Sequence, residues 1–347
     1  MCPPFFSKLS RFFPAVLCVL SLVAGPVAAE TLHVYTWADY ISPEAVEKFE
    51  AKHGCSVVID TFDSNEAMFA KLKAGATGYD IVFPTSYMIK AMEAEGMLLD
   101  LDEGALPNRK HVDAAVLEKI HDRSMRRSVP YTIGYGILAC RKDKITSAPF
   151  SWQALELPAV KGRSTLLDDM RESLAAALKS LGFSINTRNE TELAKAQEVL
   201  LRWKANIAKF DNEGYKAGLD SGEFLLVHGY SGDLFQLLQE NSKIGIIVPA
   251  EGVTMSCDEM VILKAAPQPA LAHAFINHLL DPEVAAQNME WTGYLCPNTE
   301  AVKLASPEFL QNPAVAIPDE VKARSEVIQD VGADLAKYTR VWDAVKR

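Results

Sequence analysis

The run Thr31–Tyr40 (TLHVYTWADY) constrains this chain more than any other stretch. Leu32, Val34 and Tyr35 are strand formers, and the run ends in a polar–aromatic cluster of Trp37, Asp39 and Tyr40. Ser42-Pro43 follows, a cap and a first-turn proline, so a helix starts at once. A buried strand passing through a loop into a helix is the opening unit of an α/β sheet, whose ligands gather at strand carboxyl ends. There an aromatic ring beside an acid suits an organic cation, since the ring offers its π face and the carboxylate neutralises charge. A Trp packed under the following helix explains the segment equally well.

The same alternation continues. A helix is expected over Pro43–His53, stopped by Gly54, with Val46 and Phe49 on its buried face. Ser56–Phe62 reads as a strand and Asn65–Ala74 as a helix with Met68, Phe69 and Leu72 inward. Tyr79–Phe83 is a short strand ended by Pro84, and Thr85-Ser86-Tyr87 opens the next helix. Short βαβαβα units mean a parallel sheet with right-handed crossovers. At 347 residues the chain exceeds one ordinary domain, so two α/β lobes are expected.

Val129–Gly136 (VPYTIGYG) places two glycines in a strand-forming run, which suits a strand that bends from one lobe into the other. Beyond it the pattern predicts a short segment at Ser151-Trp152, a strand near Ser164–Leu167 and a helix from Met170 to Leu181. Glu190–Phe210 reads as one long helix with Leu193, Ala196, Leu200, Trp203 and Ile207 on a single face. Strands are expected at Glu223–His228, Lys243–Val248 and Val261–Leu263, and helices at Pro269–Leu280 and Pro282–Glu290. The tail from Pro318 to Lys346 reads as helical with a break at Gly332.

Residues 1–29 have the layout of a secretory signal: Lys8 and Arg11, an apolar core Phe12–Ala24, then Val27-Ala28-Ala29 at the cleavage site. No later stretch is apolar enough to span a bilayer. After cleavage 33 basic and 45 acidic residues remain, a net charge of −12. That balance argues against nucleic acid or an anionic membrane surface as partner, and mildly for cationic ligands. Four cysteines stay behind, Cys55, Cys140, Cys257 and Cys296, which permit three pairings in an oxidising compartment. There is no CxxC, HExxH, GxGxxG or GxxxxGK[ST], so neither a metal nor a nucleotide cofactor is expected.

Several acids and rings fall at strand ends. Asp169 and Glu172, three apart where a strand enters a helix, match a capping arrangement, and equally a carboxylate pair for an ammonium or guanidinium group. His228-Gly229-Tyr230-Ser231-Gly232-Asp233 repeats the ring-plus-acid theme, with both glycines expected to turn the backbone sharply. Ser231 in Gly-Tyr-Ser-Gly approaches a nucleophile elbow, but the required final glycine comes one residue early and Asp233 stands in its place. Asp258 before Met260–Leu263, Tyr294 in Trp291–Tyr294, and Thr85 with Tyr87 each have a plain reading as turn acid, packing ring or helix cap.

Taken together, these blocks resemble the periplasmic spermidine/putrescine-binding proteins of polyamine ABC importers. The similarity runs over nearly all of the mature chain, through YTWADYISPEAVEKFE, DSNEAMFAKLKAG, YDIVFPTSY, EGMLLDLD, PYTIGYG, LLDDMRE, HGYSGD, DEMVI, DPEVAAQ, GYLCPN and QDVGA in order. The resemblance implies an α/β, two-lobed type II periplasmic binding protein fold, with mixed, mostly parallel sheets, a hinge and an interlobe ligand cleft. It implies a ligand set of Trp37, Asp39, Tyr40, Thr85, Tyr87, Asp169, Glu172, Tyr230, Asp233, Asp258 and Tyr294. Within that set Tyr230 replaces a family Trp, and Asp233 matches an acid typical of putrescine-binding members. Two positions depart from the pattern. Ser256 stands where the family usually has a large ring, and Ile328 where spermidine binders use Gln, unless Gln329 takes that place.

The expected molecule is therefore a monomeric, non-enzymatic periplasmic protein without cofactor. It captures putrescine or spermidine and delivers it to the permease subunits of an ABC transporter. Lobe 1 is expected to hold residues 30–134 and 257–300, and lobe 2 residues 135–256 and 301–347. The alternatives are a secreted hydrolase using Ser231 and a binding protein that reports polyamines to a membrane receptor. If a disulfide forms, Cys257–Cys296 is the expected pair, because both neighbour cleft residues.

Overall fold

The computed structural model describes residues 1–2 and 30–347; the signal segment otherwise lies outside the described residues. Ten strands form one continuous mixed sheet. They are β1 (Thr31–Thr36), β2 (Ser56–Thr61), β3 (Ile81–Val82), β4 (Ser128–Arg141), β5 (Ser164–Leu166), β6 (Lys209–Phe210), β7 (Leu226–Tyr230), β8 (Ile244–Ile247), β9 (Thr254–Ile262) and β10 (Glu326–Val327). Their order is β2-β1-β3-β9-β4-β7-β5-β6, with β8 added to β4 and β10 to β9. The flanks are parallel, β1 with β2 and β3 and β5 with β6 and β7. The centre is antiparallel, because β4 carries the chain out of the first half and β9 brings it back.

Each half has its own core. In the first, period-two alternation sends Leu32, Val34, Ile81, Met260 and Ile262 to one face, against Phe49 and Phe275. Tyr35, Val82 and Val261 go to the other, against Met68, Ile89 and Met92. The second half buries Leu138, Leu166, Leu226 and Val227 with Trp152, Trp203, Tyr215 and Tyr338. Helix Pro43–His53 forms as its sequence dictates: the Ser42 hydroxyl accepts the Ala45 N–H at 3.1 Å, and Gly54 ends it at φ 65°.

β4 and β9 pair from Ser128↔Val261 to Gly136↔Thr254, with the register shifting between Pro130 and Thr132. Pro130 has no N–H to give a ladder, and an irregularity is where a central strand tolerates it.

Four expectations need correction. The helix from Glu190 stops at Lys204, and Lys209–Phe210 is a strand, not its last turn. Ala208 donates to the Ser164 carbonyl at 2.7 Å, so pairing with β5 overrides the helical periodicity. The strand read at Val261–Leu263 begins seven residues earlier, at Thr254, because a polar run is held in the sheet by β4. The tail is helical only over Asp319–Lys322 and Leu335–Lys346; between them β10 pairs with β9, and Gly332 (φ 60°) opens a 3-10 turn. The five described cysteines are free. Cys257 packs with Val116 and Ile120, whereas Cys296 lies against Ala285, Ala286 and Ala301, so the expected pair belongs to separate clusters.

Candidate functional site

A cavity of about 690 Å³ lies over the central strands. Trp37, Asp39, Tyr40, Thr85, Tyr87, Asp169, Glu172, Tyr230, Asp233, Asp258 and Tyr294 all line it, and so do Ser256 and Ile328. Eleven residues scattered over more than 250 positions of sequence thus meet around one space.

Asp258 anchors the first wall. It sits within β9, nine-tenths buried, and is no turn acid. One oxygen accepts the Tyr40 hydroxyl, which also bonds Thr132, and the other accepts the Thr85 hydroxyl at 2.6 Å. Asn65 braces Thr85 through both its side chain and its backbone, each at 3.0 Å. Thr85 precedes the Ser86–Ala94 helix but does not cap it, since its hydroxyl is spent on the acid. Tyr131 donates to the Tyr40 carbonyl at 2.7 Å and is itself held by Asn288 at 2.7 Å. Burial pushes the Asp258 carboxyl up to about 6, against the pull of the two hydroxyls.

Trp37 donates its indole N–H to the Phe83 carbonyl at 2.9 Å and packs on Phe62 at 4.4 Å between centroids. Asp39 takes a left-handed φ of 52°, which Asp tolerates better than most residues. It remains largely exposed at the lip. Tyr87 reaches Glu66 at 3.2 Å.

The opposite wall starts from the Met170–Ser180 helix. One oxygen of Asp169 accepts the N–H groups of Arg171 (2.8 Å) and Glu172 (3.0 Å), so Asp169 is the cap. Its other oxygen has no partner among the described residues. Glu172 does not complete a capping box; it accepts the Thr254 hydroxyl at 2.5 Å across the floor. Burial, reinforced by the Asp169 charge, pushes Glu172 up to about 8. Arg171, between them in sequence, turns away to the Gln329 carbonyl, Asn186 and the Tyr338 ring, leaving the acids to the cavity.

Gly229 and Gly232 do not make a sharp turn. Strand β7 runs through Tyr230 and a helix starts at Ser231. Both glycines are demanded by close approach: a Cβ on Gly229 would lie 2.4 Å from the Tyr215 ring, and one on Gly232 2.2 Å from the Tyr294 ring. The same constraint shapes the floor, where a Cβ on Gly136 would meet Glu172 and Thr254 at 2.5 Å. Asp233, in the first turn of its helix, accepts the Tyr215 hydroxyl at 2.5 Å. Ser231 is buried, and its hydroxyl accepts the Tyr135 N–H at 3.2 Å.

Several lining residues escaped the sequence reading: Tyr35, Phe62, Asp63, Asn65, Glu213 and Lys216. Lys216 stands 3.6 Å from both Asp39 and Asp233. Gln329 does not replace Ile328 at the wall; its backbone is bonded to Arg171 and Asn186.

Comparison with known proteins settles the family. Residues 44–317 match the model of the bacterial extracellular solute-binding proteins. The chain belongs to that family. A putrescine/cadaverine-binding protein of Pseudomonas aeruginosa is 33% identical over 95% of this chain and 98% of its own. The spermidine/putrescine-binding periplasmic protein of Escherichia coli K12 is 34% identical over 91% of each chain. Among solved structures, the spermidine/putrescine ABC transporter substrate-binding protein of Streptococcus pneumoniae superposes with a TM-score of 0.80 at 32% identity, covering 92% of this chain and 99% of that one. The two-lobed α/β architecture is that of these solute-binding proteins.

Proposed function

We propose that this solute-binding protein captures a di- or polyamine in the cavity and hands it to an ABC importer. One observation carries the reading: seven carboxylates and a single ammonium, that of Lys216, line a cavity whose remaining walls include seven aromatic rings. A buried acid is costly unless paired, and here burial holds Glu172 and Asp258 above their usual values, so the site is short of positive charge. Protonated amines supply it, while the rings offer π faces and cover the methylene chain. The relatives named for putrescine, cadaverine and spermidine support this ligand class.

In this reading Asp169 with Glu172 holds one amine and Asp258 another, and Trp37, Tyr40, Tyr87, Tyr230 and Tyr294 line the chain between. Residues 30–134 with 257–300 form one lobe and the remainder the other, and closure of the two makes the shape an importer recognises. The protein works as a monomer in the periplasm, without cofactor. The hydrolase alternative is not favoured, because Ser231 is buried and its hydroxyl, which accepts the Tyr135 N–H, bonds no histidine or carboxylate among the described residues.

Native mass spectrometry of the purified protein, then calorimetry with putrescine, cadaverine, agmatine and spermidine, tests the proposal. A micromolar Kd, about −8.2 kcal/mol, is expected for at least one amine. Silence with all four would refute the reading.

A further inference from the structure

Four of the seven acids that line the cavity contrast in depth. Glu172 and Asp258 are at least nine-tenths buried at the floor, while Asp39 and Asp233 stand further out, with side chains 62% and 22% exposed. The outer pair already has a cation. Lys216, from the short Tyr215–Ser221 helix, places its ammonium 3.6 Å from Asp39 on one wall and 3.6 Å from Asp233 on the other. Gln236 accepts from it at 3.0 Å and fixes its position. No salt bridge joins Lys216 to any floor acid among the described residues.

From this juxtaposition we infer that Lys216 is a specificity-determining residue: its tethered ammonium fills an outer amine position, so the cavity selects diamines over triamines. The inference rests on the amine reading above and extends it. A diamine needs two anionic partners, and the floor supplies them. A third ammonium, reaching outward along the same chain, would arrive at Asp39 and Asp233 and meet a fixed like charge there. Displacing Lys216 would cost that ammonium its two carboxylates and the Gln236 oxygen together. The tether makes the internal cation the stronger competitor, since it loses no translational freedom on binding.

Calorimetry of wild type, Lys216→Met, Lys216→Gln and Lys216→Arg with putrescine and spermidine decides the matter. The reading is the ratio of spermidine to putrescine affinity, which a general loss of stability would not move. Freeing two carboxylates for a charged donor should raise that ratio about tenfold or more in Lys216→Met and Lys216→Gln, while Lys216→Arg keeps it near the wild-type value. A ratio unchanged in both neutral variants, or raised as much by Lys216→Arg, would overturn the inference while leaving amine binding intact. Wild type that binds neither amine would overturn the amine reading, and this inference with it.

Discussion

Tyr40 donates its hydroxyl to the carboxylate of Asp258 across 218 residues of sequence, tying the loop after the first strand to the strand that returns from the second half. The acid is thus built into the scaffold as well as aimed at the cavity. Asp258→Asn should lower amine affinity by about one to two orders of magnitude, the worth of one charge-assisted hydrogen bond. The melting temperature should stay near wild type, because the amide oxygen still accepts one of the Tyr40 and Thr85 hydroxyls and the other can rotate to accept from the NH2 group. Calorimetry paired with thermal melts checks both halves; unchanged affinity would make Asp258 purely structural.

Glu172 governs the pH response. Its folded-state pKa of about 8, against a usual 4.5, means the ligand-free protein holds a proton that the unfolded chain has lost. Stability therefore falls as pH rises between those values. Glu259, pushed to about 7 by burial, acts in the same sense. His228, buried and held down to about 3, acts oppositely below 6.5, so the clean window is pH 6.5–8. Ligand-free melting temperature should decline across that window, and less steeply in Glu172→Gln. A flat wild-type curve would contradict the assignment.

Amine affinity should rise over the same window, because the ligand's charge favours ionised Glu172 and expels its proton. Calorimetry at pH 7 in two buffers of different ionisation heat measures the protons released. Release should be clear in wild type and smaller in Glu172→Gln.

Gly232→Ala tests close approach against helix propensity. Alanine in a helix gains roughly 1 kcal/mol over glycine. Here the new methyl would meet the Tyr294 ring at 2.2 Å, and overpacking of that kind costs about 1–3 kcal/mol. Net destabilisation and weaker amine binding are expected, by melts and calorimetry; a more stable variant with full affinity would show that the ring moves freely.

Of the five tryptophans only Trp37 lines the cavity. Ligand addition should alter intrinsic fluorescence in wild type, and Trp37→Phe should abolish most of the change. A signal that survives in the variant would place the ligand elsewhere.

The first three strands, their helices and the strand-end residues were legible because their signals are local. Ser42-Pro43 starts a helix, Gly54 ends it, and an acid beside a ring marks a strand end. What stayed hidden was decided by partners far away in sequence. Lys209–Phe210 and Glu326–Val327 are strands only because β5 and β9 lie beside them. Asp258 looked like a turn acid because Thr254, Ser256 and Asp258 break up the apolar pattern, yet Ser256 and Asp258 line the cavity from within a strand. Lys216 carried no signal, for a lone lysine on a seven-residue helix reads as solvated surface.

The halves are joined by paired strands rather than by loose linkers. A hydrogen-bonded ribbon resists stretching and shear but yields to torsion, so its softest motion is a twist about its own length. Gly134 and Gly136 let that ribbon pass directly beneath Ser256, Tyr294, Glu172 and Thr254, which a Cβ on Gly134 would crowd and one on Gly136 would strike. A molecule in the cavity would therefore sit one layer of side chains above the torsion element. Under the proposed amine-binding reading, occupancy would then set the angle between the halves without any separate relay.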